Sequence, residues 1–100
     1  MTVKEITETL NLKVYSGEEY LHKEATGGYV SDLLSDVMGN AEEGAVWITL
    51  QSHLNVVAIA SLKELAAVIL INGISPEDNV IAKAKEENIP LLGSDDPAFD

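Results

Sequence analysis

The sequence predicts an α/β fold: a single domain with a mainly parallel, helix-flanked sheet built on a β-α-β-α-β unit. Three observations carry that expectation. Ala45 to Leu50 and Ala66 to Ile71 are nearly continuous apolar runs rich in large and β-branched residues, as strands covered on both faces require. Helix-length segments with their own start signals separate them from each other and from a third apolar run, Ile89 to Leu92. Strands and helices alternating at this spacing indicate βαβ units with right-handed crossovers. A length of 100 residues fits one core, so residues 1–100 are expected to form one domain.

The first elements follow from local chemistry. Thr2-Val3-Lys4-Glu5 is a capping box, in which Thr2 and Glu5 each satisfy a free backbone N–H. Val3, Ile6 and Leu10 form a narrow apolar stripe at helical spacing, and Asn11 ends the helix. Lys13-Val14-Tyr15 reads as a short strand before Ser16-Gly17. Residues 18–28 carry the weakest signal, with Tyr20 and Leu21 as anchors among Glu18, Glu19 and Glu24. Gly27-Gly28 permits close backbone approach, and Tyr29-Val30 reads as a strand end. A helix should follow, capped by Ser31 or Asp32, facing inward with Leu33, Leu34, Val37 and Met38, and closed by Gly39.

After the Ala45–Leu50 strand, Ser52 is expected to cap a helix running to about Lys63, with Leu54, Val57, Ala58 and Ser61 along one side. Ser75-Pro76-Glu77-Asp78 marks the next start: serine at the cap, proline at the first helical position, acids in the first turn. Val80, Ile81 and Ala84 then face inward, while Lys83, Lys85, Glu86 and Glu87 stay in water. Asp96-Pro97 repeats the signal, so a C-terminal helix is expected to begin at Asp96 and to be incomplete at Asp100.

Charge and composition remove several functional classes. Six lysines and no arginine face 17 acids, giving a net charge of -11. Nucleic-acid and anionic-membrane partners are therefore not expected, since both need clustered cations. The charge splits into -6 over residues 1–50 and -5 over residues 51–100, which describes a solvated surface more than an acidic tail. The absence of cysteine removes disulfides, thiolate zinc sites and a cysteine nucleophile. His22 and His53 lie in unrelated segments, and no metal or cofactor site is expected. The first residues lack a basic stretch followed by an apolar run. The longest apolar run, Leu65 to Ile71, falls far short of the ~20 residues that span a bilayer. A cytoplasmic location is the expectation. No P-loop, G-x-S-x-G elbow or H-E-x-x-H motif occurs, so the sequence argues against an enzyme.

In open parallel sheets, ligands gather where strands deliver the chain to helix N-termini. That rule selects Gln51, Ser52 and His53 after one strand, with Asn55 a turn further on, Asn72 and Gly73 after the next, and Gly93, Ser94 and Asp95 after the third. His53 is the most versatile of these, as donor, base or ligand. Asp32 and Asp36 lie four apart and would share a helix face. An enzyme using His53 and Asp36 as acid and base would need the two within hydrogen-bond reach. Trp47, the single tryptophan, reads as core, or as a dimer anchor if its sheet edge is exposed.

Gly28-Tyr29-Val30-Ser31-Asp32-Leu33-Leu34-Ser35-Asp36-Val37-Met38 is similar to the corresponding run in stand-alone DRTGG-domain proteins. So are Trp47 through His53 with Asn55 to Ala58, and Val68 to Gly73 with Pro76 and Ile89 to Leu92. The resemblance covers about residues 25 to 95. It implies an α/β domain like the N-terminal domain of HPr kinase/phosphorylase and the DRTGG domain of phosphotransacetylases. It also implies a non-catalytic regulatory or assembly role, as a homodimer, in redox or carbon-metabolism control. Gln51-Ser52-His53 stands where the family tends to carry Gly-Asp-Arg, and Asn72-Gly73-Ile74 where it carries Thr-Gly-Gly. The expected function is a small molecule or protein partner bound at the strand-end loops, with a ligand-free acidic adaptor as the alternative.

Overall fold

The structure, a computed structural model, is described for residues 1–95. Thr2 opens α1 (Val3–Leu10) with the full capping box, its hydroxyl oxygen accepting from the Glu5 N–H at 3.1 Å and its own N–H donating to the Glu5 carboxylate at 3.0 Å. Asn11 closes the helix in the left-handed region, at φ 54°. The remaining elements are β1 (Lys13–Ser16), a 3-10 turn at Glu18–Tyr20, β2 (Gly27–Val30), α2 (Leu34–Asn40), β3 (Ala45–Thr49), α3 (Leu54–Leu62), β4 (Ala67–Leu70), α4 (Asp78–Glu86) and β5 (Leu91–Gly93).

The sheet runs in the order β1-β5-β4-β3-β2. β2 to β5 are mutually parallel, and β1 joins β5 antiparallel at the far edge. Because the parallel strands follow one another in chain order, right-handed crossovers bring α2, α3 and α4 to the same side. There Val37, Val56, Val57, Ala60, Val80 and Ala84 meet Trp47, Val68, Leu70 and Leu91 of the sheet. The alternate residues Val46, Ala67, Ile69 and Leu92 face the other side, where Val3 of α1 and Leu12 cover them. All four middle-strand residues of β4 are buried, as the sequence anticipates. Where β1 turns away, Gly17 adopts φ 82° and a Cβ there would lie 2.6 Å from Pro90 Cα, so only glycine fits the corner.

Three helix starts differ from their sequence expectation. Ser31 and Asp32 do not cap α2; Leu33 precedes it, because Ser31 Oγ accepts from the Leu33 N–H at 3.2 Å in a local turn and the Asp32 carboxylate is drawn across to Thr49 and Leu50. Gly39 lies inside that helix, and Leu33 and Met38 are exposed, so Val37 is its one fully buried residue. His53, not Ser52, caps α3, which moves the buried stripe to Val56, Val57, Ile59 and Ala60 and turns Leu54 and Ala58 outward. α4 begins after Glu77, since Pro76 is buried in the loop and the chain turns helical only beyond it. The expected helix from Asp96 lies outside the described residues.

Candidate functional site

The carboxyl end of β3 is where the chemistry gathers. Asp32 reaches across from the end of β2 with one carboxylate oxygen, Oδ1. That oxygen accepts from Thr49 Oγ1 at 2.8 Å and from the Leu50 N–H at 2.7 Å. The Thr49 hydroxyl accepts in turn from the Gln51 N–H at 3.0 Å. Gln51 Nε2 donates to the Asp32 carbonyl at 3.3 Å. Thr49 is buried, so Asp32 satisfies a hydroxyl that would otherwise be stranded. The result is a latch that fixes how the chain leaves β3.

Past the latch, His53 holds the start of α3: its Nδ1 accepts from the Asn55 N–H at 3.1 Å. Accepting that bond requires a bare Nδ1, which leaves the proton of a neutral ring on Nε2. His53 therefore presents a donor outward. Gln51, Ser52 and His53 line one wall of a groove of about 500 Å³, completed by Leu50, Leu54, Glu77, Asn79 and Val80. Leu50, Leu54 and Val80 add apolar surface to its lining. Among the described residues Glu77 is its single charged lining residue, and no lysine reaches it.

The residues selected from the sequence thus divide. Gln51, Ser52 and His53 meet at the groove. Asn55 contributes a backbone N–H to the cap, and Asp32 supports the loop from behind. Asn72 and Gly73 form a separate turn after β4, both at positive φ, with the Gly73 N–H donating to Ser94 O at 2.9 Å. Asp36 is not on a common helix face with Asp32, which precedes the helix. Its carboxylate accepts from the Tyr29 hydroxyl at 2.8 Å and from Asn40 Nδ2 at 2.9 Å. The Tyr29 bond, aided by Ser31 and Asn40, holds the Asp36 carboxyl below its ordinary range. Asp36 and His53 therefore belong to different hydrogen-bond networks, and no bond joins them into an acid–base pair. Sequence reasoning missed Glu77 and Asn79; the helix-start signal at Ser75-Pro76-Glu77-Asp78 lay two residues too early.

Trp47 is fully buried, with its Nε1 donating to Ser31 O at 2.8 Å. It is core and cannot anchor a dimer. Grooves elsewhere have comparable volumes, about 470 Å³ beside Glu24, Glu43, Glu64 and Glu87 and about 360 Å³ beside Tyr15, Glu18, Glu19 and Tyr20. Volume does not single out one of them; what sets the strand-end groove apart is that Gln51, Ser52 and His53 meet there at the carboxyl end of β3. Among the described residues no cluster of three His, Cys, Asp or Glu side chains could hold a metal ion. No helix among them is long and apolar enough to cross a membrane.

The fold is similar to that of a crystal structure of the CBS and DRTGG domains of the regulatory region of a Clostridium perfringens pyrophosphatase, complexed with its activator diadenosine tetraphosphate. The TM-score is 0.75 over 98% of this chain, at 19% sequence identity. The fold is DRTGG-like. This chain spans 43% of the length of that structure. No family model matches the sequence, and no curated protein matches it. In this DRTGG-like sheet the parallel strands follow chain order without reversal. The crevice of a topological switch point is therefore absent, and the opening lies between the starts of α3 and α4.

Proposed function

We propose that this chain is a non-catalytic regulatory domain that binds a small molecule in the groove between the ends of β3 and the starts of α3 and α4. The observation that carries the reading is the latched exit from β3, which holds Gln51, Ser52 and His53 at one opening of about 500 Å³. The DRTGG-like fold, shared with a regulatory region that binds a nucleotide activator, supports a ligand-sensing role. The separation of His53 from Asp36 supports a site that binds without catalysing.

The proposal extends to a homodimer in the cytoplasm and, through the resemblance of the sequence, to redox or carbon-metabolism control. With Glu77 on the wall and no cation in the lining, the groove suits neutral or amine-bearing groups better than a bare polyphosphate. A thermal-shift panel of nucleosides, nucleotides and small metabolites tests the reading. A ligand at about 100 times its Kd adds about 2.7 kcal/mol. For a domain of this size that raises Tm by roughly 10–20 °C. A panel of flat melting curves would overturn the small-molecule reading and leave the acidic-adaptor alternative.

A further inference from the structure

The two outer strands of the sheet are finished differently. β1 carries Lys13, breaks register between Val14 and Ser16, and has α4 alongside. Charge, irregularity and cover are devices that blunt an edge against further pairing. Among the described residues, the four of β2 have none of them; the cover ends just before the strand, where the Ala25 N–H donates to Met1 O and Thr2 pairs with Glu24. β2 pairs with β3 alone, in regular register, and it contains no charge and no proline. Residues 25–31 are uncharged throughout, in a chain of net charge -11. Val30 is 61% exposed and Leu33 68%. A side chain built at Gly27 or Gly28 would meet nothing within 4 Å.

We infer that β2 is the edge on which a second copy of this chain pairs, antiparallel, about a two-fold axis at Gly28, joining two five-stranded sheets into one. The inference rests on the homodimer proposed above and names its surface. A two-fold axis perpendicular to the sheet keeps the three-helix layer of each copy on the same side. It sets Gly28 against its own counterpart and Gly27 against Tyr29 of the second copy. The glycine positions leave open the space a neighbouring tyrosine needs, so the strand is complementary to itself. Charge selects the same strip. Two copies repel wherever their acids face each other, and an uncharged edge is where they can meet. Screening that repulsion strengthens the dimer, so association tightens as salt rises.

The chain has no cysteine, which makes single-cysteine cross-linking a clean test. Gly28 is outside the left-handed region and has room for a side chain, so Gly28→Cys keeps the fold. Directly opposed antiparallel residues have Cα atoms about 4.5–5.5 Å apart, inside the disulfide range of about 4.4–6.8 Å. Oxidised Gly28→Cys should run as a covalent dimer, while Leu62→Cys, exposed on α3, should not. By sedimentation velocity the wild type should be dimeric, more so at high salt, and Val30→Lys should raise the dimer Kd at least about tenfold. A dimeric wild type whose Gly28→Cys variant fails to cross-link would overturn the β2 interface and leave the homodimer standing on another surface. A wild type monomeric at every concentration and salt would overturn both.

Discussion

The β1 and β2 edges of one sheet are built to opposite ends. β1 is tied down: Ser16 Oγ donates to Ile89 O at 2.8 Å, Gly17 fits against Pro90, and Tyr15 packs onto the three-helix core. β2 is held from beneath instead, by Trp47 under its end and by the Tyr29–Asp36 bond to α2, with its outer rim left open. The lesson is that change at the β1 edge should unfold the domain, whereas change on the rim of β2 should alter what the domain associates with.

The largest effect should come from Trp47→Ala, which empties the core beneath β2. A loss of about 3–5 kcal/mol in urea unfolding is expected; a loss near zero would mean the strand does not depend on that support. Next, Gly17→Ala and Gly28→Ala set the two edges against each other directly. The first forces a Cβ against backbone at φ 82° and should cost about 1–3 kcal/mol. The second adds a methyl group in open space and should stay within about 0.5 kcal/mol. Equal costs would erase the distinction between the edges.

Asp32→Ala removes the acceptor shared by Thr49 and the Leu50 N–H. It should cost about 1–3 kcal/mol and speed amide exchange at Leu50 and Gln51 while leaving β1 unaffected. The smallest effects are electrostatic. Tyr29 holds the Asp36 carboxyl below its ordinary value, so the stability it lends is present at neutral pH. That stability is lost as pH falls through the depressed folded value. Glu43 has the opposite sign: a hydrogen bond that its protonated carboxyl makes with the neighbouring Glu64, and then repulsion between the two charges, push its carboxyl up, so the pair costs stability at neutral pH and the cost is relieved on acidification. Tyr29→Phe should flatten the first acid limb and Glu64→Gln the second, both read from melting temperature against pH.

Much of this was legible in the residues. Continuous apolar runs marked β3 and β4 because strands covered on both faces admit few polar residues. The capping box at Thr2 fixed the start of α1 to the residue. What escaped was decided by tertiary partners. Ser31 and Asp32 are good caps in isolation, yet a buried hydroxyl at Thr49 and two loop N–H groups compete for them. His53 displaced Ser52 at the head of α3, and no local rule prefers an imidazole there. The groove's Glu77 and Asn79 come from a helix whose start shifted once Pro76 was buried. That Gln51, Ser52 and His53 share one opening was legible because strand-end position depends on chain order more than on neighbours.

A titration of the 15N-labelled chain with the strongest ligand from the thermal-shift panel tests the central claim most directly. Shifts concentrated at Gln51, Ser52, His53 and Asn55, together with Glu77 and Asn79, and sparing the Asn72-Gly73 turn, are the predicted result. Shifts centred instead on the grooves beside Glu43 and Glu64 or beside Tyr15 and Tyr20 would contradict it.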